Sequence, residues 1–450
     1  MPITRPERTH PLAGSLLAGL VLVLAAGCSA DDDASSSSDR DRPRDRAGVG
    51  THARQSTLDL GAGRDVAGAL TTLLAHRATA VRTEDATAFS SGVAGSAAFR
   101  ASQDQWFDNV TQLPVAAFDY SLDPASLVRD GHAYWGSVEV SLRLGEYDAR
   151  PVVSHDRYRF ERTDGRYVVS SVTDRAWERQ HPGPAQPWEL GPVDVLEGDG
   201  VLGVFDEGSA GRAGAVVAAV EDGVAAMAPR IPLPWDRRVV VYALADPTFL
   251  ASLTGVPGGD PLAVDGLTFP VLATPGGTRV ASTRFVLNPR LLAADPDVRD
   301  RLIRHELVHV ALGSRDDRIP VWLSEGLAEY LSVRTIPPAE RVISGEALDA
   351  ARTGLDALPD GETFNDGPTS LANYGVSWWI CEAIAETYGE EMLWTLVDDL
   401  AGVDDPDAEL EAILGISGRA LARDAGRLML ATYGEDEPDR RQRSNQRSRH

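Results

Sequence analysis

The chain of 450 residues is long enough for two or three domains, and 43% hydrophobic with 24% charged residues is the balance of a protein with apolar cores. A formal charge of −24 gives no general electrostatic reason to bind nucleic acid, and no such partner is expected. With only Cys28 and Cys381, a disulfide framework is excluded.

Residues 1–28 read as a leader. "MPITRPERTH" carries Arg5 and Arg8, and the apolar run "PLAGSLLAGLVLVLAAGC" follows. That run is too short, and too closely followed by "SADDDASSSS", for a membrane helix. "LAAGC" resembles the lipobox of bacterial lipoprotein signals, with small Ala26 and Gly27 before Cys28, although Ala25 stands where leucine is commoner. The resemblance implies a lipid anchor on Cys28 and a place at the extracytoplasmic face of the cell membrane; a plain secretory peptide is the alternative. Cys381, in "VSWWICEAIAE", is expected as a buried core residue. Residues 29–57 hold Ser, Asp, Arg and Gly with almost nothing to bury, and predict a disordered linker; 434–450 is a second such segment.

Residues 58–183 form the first predicted domain. "DVAGALTTLLAHRATAVRTEDATAF" places Val66, Leu70, Leu73 and Leu74 at helical spacing, and "AAFRASQDQWFDNVTQL" is a second helical stretch. The period then changes to two in "LPVAAFDYSL", "AYWGSVEVSLRL" and "PVVSHDRYRFERTDGRYVVSSVTD", with "TDGR" as a tight turn. Helices followed by long antiparallel strands predict an α+β unit with a curved sheet wrapped on a helix. The pattern resembles the cone of the nuclear-transport-factor class. His132, Asp156 and Asp174 are the polar residues of this unit able to line a pocket, without any legible pairing of base and electrophile. A scaffold or binding role is expected.

"GPAQPWELGP" at 183–192 reads as a linker. Beyond it, 190–430 predicts a small mixed sheet, with "RRVVVYAL" as one strand and "VDGLTFPVLATPGGTRVASTRFVLNP" as two more joined at "TPGG". "AADPDVRDRLIRHELVHVAL" is the next helix, and from about Val321 the chain reads as mainly helical.

Two short segments carry the chemistry. In "RLIRHELVHV", His305, Glu306 and His309 form HExxH, which on a helix lets both imidazoles reach one ion while Glu306 sits beside it. The flanks Leu302, Ile303, Leu307 and Val308 predict a buried helix, where two histidines and a glutamate need satisfying partners. Catalytic zinc takes three protein ligands, and Glu325 of "WLSEGLAEYLS" lies sixteen residues past His309, far enough for "GSRDDRIP" to reverse the chain. Gly326 leaves room for close helix approach. Glu329 is a candidate outer acceptor for either histidine.

HExxH followed by WLxEG resembles the gluzincin zinc metallopeptidases, in particular their bacterial peptidase MA-like members. The resemblance covers roughly 190–430 and implies a thermolysin-like domain with a helical C-terminal part. It further implies one zinc ion on His305, His309 and Glu325, with Glu306 as general base in hydrolysing a peptide or protein substrate. The exopeptidase "GxMEN" stretch of the related aminopeptidases is absent, and their spacing to the third ligand is longer. With no histidine left to steady a developing oxyanion, a tyrosine or an arginine must do so, and Tyr374 in "SLANYGVSWW" is the first candidate. "RVASTRFVLNP" is the expected cleft strand, pairing with an extended peptide. The alternative is a non-catalytic envelope lipoprotein, a binding or scaffold module with a degenerate or structural metal site. Structural zinc is usually closed by four ligands, and Cys381 is the one thiol in this region.

Overall fold

A computed structural model describes residues 58–434 apart from 182, 184, 255–259 and 366. Cys28, the leader, the 29–57 linker and the tail beyond residue 434 lie outside the described residues. No described helix is long and apolar enough to cross a membrane.

The chain is α+β with a curled sheet. It opens with α1 (Leu58–Arg82), α2 (Ala86–Ser91) and α3 (Ala97–Val110). The single amphipathic run expected over the first stretch is two helices. Glu84 turns the chain at φ 55°, and the Asp85 side chain caps α2 by accepting from the amide of Ala88. Five strands follow: β1 (Val115–Leu122), β2 (Val128–Asp130), β3 (Ala133–Leu144), β4 (Val152–Thr163) and β5 (Arg166–Ser171). They form an antiparallel sheet in the order β1-β3-β4-β5, with β2 on β3. Irregularities at Val115/Ala117 and Arg159/Phe160 bend it, as bulges do. Leu70 and Leu74 of α1 pack with Val138, Phe160 and Val169 of the sheet.

The short helices α4 (Arg175–Glu178) and α5 (Pro187–Leu190) lead into a second sheet. Its elements are β6 (Asp194–Glu197), β7 (Val201–Phe205), α6 (Ala213–Met227), β8 (Val239–Ala243), α7 (Thr248–Ser252), β9 (Gly266–Leu272) and β10 (Val280–Leu287). The order is β6-β7-β8-β10-β9, parallel through β7, β8 and β10 and antiparallel at both ends. β7 and β8 are buried on both faces, which is why "VVVYA" reads as an unbroken apolar run. This arrangement corrects the expected cleft strand. The "RVASTRFVLNP" segment is β10, hydrogen-bonded to β8 on one side and β9 on the other, so its edges are taken. Among the described residues β9 pairs only with β10 and is the sheet's edge.

The remainder is helical: α8 (Pro296–Leu312), α9 (Val321–Ser332), α10 (Gly345–Thr353), α11 (Ser370–Tyr388), α12 (Glu391–Asp399), α13 (Pro406–Leu414) and α14 (Gly418–Tyr433). α8 starts where the Asp295 side chain accepts from the amide of Asp297 with Pro296 in the first turn, and ends at Gly313, φ 56°. Leu302, Ile303, Leu307 and Val308 place it in one core with Val220 of α6, Phe285 of β10 and Leu323 and Leu327 of α9. Cys381 is fully buried there, as expected.

α9 and α11 approach closely because of Gly326. A Cβ at that position would lie 2.4 Å from the Ser377 carbonyl oxygen and 2.9 Å from Cys381 Sγ. Because the first obstacle is backbone, it yields only if a helix moves, and such overpacking costs about 1–3 kcal/mol. Gly326→Ala should therefore lower the denaturation midpoint and shift α9, measurable as a loss of metal uptake at the centre described below.

Residues 185–192 are fastened rather than loose. Trp188 is buried, and Asn109 Nδ2 donates to the carbonyls of Trp188 and Gly191. Gln112 bonds both Val193 and Val195. Phe107, Phe118 and Leu144 of the first sheet region share a core with Leu202, Val240 and Tyr242 of the second. Arg284 of β10, 2% exposed, donates to Asp148 Oδ1 at 2.7 Å and to the Tyr242 hydroxyl at 2.6 Å. That buried ion pair has its hydrogen bonds made, the condition under which such a pair is tolerated. Proline and glycine signal a linker from composition alone; side chains eighty residues away decide that this one is held.

Candidate metal centre

On α8, His305 and His309 stand one turn apart and point the same way, their Nε2 atoms 3.1 Å from each other. α9 packs beside α8 and brings Glu325 between them. Its Oε2 lies 3.3 Å from His305 Nε2 and 3.5 Å from His309 Nε2. All three residues are buried, and they form a group able to hold a metal ion. Two ligands about 2.0–2.1 Å from a tetrahedral ion are roughly 3.3–3.4 Å apart, so the observed triangle has the dimensions of one face of such a site.

The outer atoms support the same orientation. His309 Nδ1 is 3.0 Å from both carboxylate oxygens of Asp316. Ser324 Oγ donates to Asp316 in turn. His305 Nδ1 lies 3.1 Å from Glu329 Oε1, and Arg301 donates to the other oxygen of that carboxylate. A ring proton on His309 Nδ1 facing Asp316 leaves the Nε2 lone pair of His309 directed inward, toward Glu325; His305 Nδ1 is near Glu329 but outside hydrogen-bonding geometry. Three such donors need positive charge among them. Burial alone would push both histidines down, yet the carboxylates around them outweigh it and raise His305, and raise His309 well above its usual range. Burial would likewise raise Glu329, but Arg301 and His305 hold it below the ordinary carboxylate value.

Glu306 is the odd member, buried with the rest but outside the ligand triangle. Its Oε2 accepts the Thr268 hydroxyl at 2.6 Å, and its Oε1 has no hydrogen-bond partner among the described residues. Thr268 and Gly266 are two apart on β9 and present the same face to α8. A Cβ at Gly266 would come within 2.2 Å of Glu306 Oε1, so only glycine leaves space for this carboxylate. Burial pushes Glu306 up to about 7 against the opposing pull of the two imidazoles. A carboxyl near neutrality can both take and return a proton.

The structure thus brings together His305, His309, Glu325, Glu306 and Glu329. Tyr374 is the fifth residue of α11, its ring edge-on to Phe364, and its hydroxyl donates to Asn365 Oδ1 at 3.1 Å. In the first unit His132 lies in an exposed turn and His155 faces Glu139. Asp174 caps α4 and pairs with Arg157. Burial, then Glu178, raises Asp156 to about 6.

Sequence reasoning missed Asp316, Thr268 and Gly266. The available signal was the pair of aspartates in "GSRDDR" directly after the histidine helix; for the β9 residues the sequence offered no local sign. Outer partners of this kind typically contribute about 10–100-fold in metal affinity. Asp316→Asn should weaken metal binding on that scale while keeping the fold, a change that competition with a chromophoric chelator measures.

Compared with protein-family models and with curated proteins, the chain matches none.

Proposed function

We propose that the chain is a zinc-dependent peptidase of the gluzincin type, with His305, His309 and Glu325 as ligands of one zinc and Glu306 as general base. The finer fold reading goes with it: a nuclear-transport-factor-like cone over 58–183 and a thermolysin-like domain over 190–430. The observation that carries the proposal is the division of labour among four buried side chains. Three converge on a triangle of tetrahedral size, while the Glu306 carboxylate is excluded from it and keeps one oxygen without a partner.

The donor set, two imidazoles and one carboxylate, fits zinc and leaves a position open. Bound zinc would supply Lewis-acid polarisation of a carbonyl and acidify water. Glu306 takes a proton from the attacking water, whose oxygen bonds to the peptide carbon, and returns it to the nitrogen as the C–N bond breaks. Thr268 fixes the carboxylate rotamer for that transfer. Tyr374, whose hydroxyl would have to turn from Asn365 to serve, is the candidate oxyanion donor, and the outer edge of β9, its residues buried or half-buried, is the candidate template for an extended peptide substrate. Incubating the zinc-loaded chain with a mixed peptide library, reading products by mass spectrometry, tests the activity. Cleavage should stop with a zinc chelator and return when zinc is restored.

A second reading is favoured by one observation, that the five site residues are all buried. A closed metal centre in a binding or scaffold lipoprotein would look the same, and would hold zinc without cleaving anything.

Location belongs to the proposal as well. With Cys28 lipidated, the chain is anchored at the extracytoplasmic face of the membrane. Cys28→Ala should move it from the membrane fraction to the soluble fraction; unchanged retention defeats the anchor.

A further inference from the structure

The first unit holds a cleft that peptide hydrolysis does not use. It opens between α1, α2 and the turn joining β4 to β5, with a volume of about 650 Å³. Its lining carries His76, Arg77, Arg162 and Arg166 against a single carboxylate, Asp65. In a chain of formal charge −24, that local excess of basic groups reverses the background. Val66 and Leu73, half-buried on α1, give the cleft an apolar side.

Arg77 is the group that most needs explaining. It is 2% exposed, and its guanidinium lies 3.7 Å from the centroid of the Phe89 ring. Nε donates to the Tyr120 hydroxyl at 3.2 Å, and Nη2 donates to Gln103 Oε1. All three partners are uncharged, and among the described residues Nη1 is buried with no acceptor. A guanidinium withdrawn from water without a counter-charge is costly. Aromatic faces offset part of that cost but leave the N–H unmatched. An anion arriving through the cleft would supply both the charge and the acceptor, and Arg162 and Arg166 at the exposed rim would draw it in.

We propose that this cleft binds an amphipathic organic anion, its head paired with Arg77, Arg162 and Arg166 and its hydrocarbon part lying on Val66 and Leu73. The proposal is independent of the peptidase reading. Isothermal titration of the full chain with octanoate and with octyl phosphate tests it and separates a carboxylate head from a phosphate head. At least one should bind saturably and more weakly at high salt, while octylammonium, with the same chain and opposite charge, should not. Arg166→Ala, at an exposed position where folding is undisturbed, and Arg77→Gln should each weaken binding by about tenfold or more, the scale of one lost charge-assisted hydrogen bond. Glu325→Ala should leave it unchanged, which separates the cleft from the metal centre. Absence of saturable binding by both anions, equal binding of octylammonium, or binding undiminished in Arg166→Ala would overturn the proposal.

Discussion

Glu325→Ala should leave a folded chain that no longer retains zinc. Glu325 supplies the one anionic atom facing both imidazoles, at 3.3 and 3.5 Å. Without it two neutral nitrogens remain, and zinc held by two ligands competes poorly with water. The loss should exceed the roughly 10–100-fold that outer-shell changes cost, because a bond to the ion itself is removed. The fold should survive, since α9 is held by Trp322, Leu323, Leu327 and Tyr330 in the core and not by this carboxylate. Elemental analysis after gel filtration, with circular dichroism on the same sample, gives both answers. Full zinc retention in Glu325→Ala would show that the triangle is not the ligand set.

Glu306→Gln should keep the metal and lose the reaction. The ligand triangle is untouched, glutamine has nearly the same shape, and its amide oxygen can still accept from Thr268. What disappears is the proposed proton acceptor, and such assistance is typically worth about 10²–10⁴ in rate. Stability should change little, because relief of a buried carboxylate's charge is offset by amide hydrogens placed where Oε1 has no partner among the described residues. Rate and melting temperature measured together separate this outcome from simple unfolding. A variant that hydrolyses peptides at the wild-type rate would remove Glu306 from the mechanism.

The ligand group was legible because its logic is local. A period of 3.6 puts residues 305 and 309 on one face, and a loop of the length of "GSRDDRIP" suffices to bring a second helix back alongside. Gly326 could be assigned to close packing because a glycine in the middle of an amphipathic helix has little other use. Neighbours in the sheet were not legible. Alternation marks a strand without saying which strands flank it, and nothing in "RVASTRFVLNP" shows that β10 lies between β8 and β9. Asp316 acts from a 3-10 helix, Gly313–Arg318, through a contact with a ring nitrogen, and Thr268 and Gly266 act from a strand some forty residues before Glu306. None of these contacts has a periodicity. The same holds for Arg77, whose missing counter-charge exists only once α1, α2 and the sheet are assembled.

The proposed reaction requires that the buried triangle hold zinc and that Glu306 act beside it. Measuring zinc content and peptide-library cleavage side by side, for wild type and Glu306→Gln from parallel preparations, tests it most directly. One zinc per chain is expected in both, with cleavage in the wild type alone. A folded, zinc-loaded wild type that cleaves nothing across a diverse library would contradict the claim and leave a metal-binding envelope module in its place.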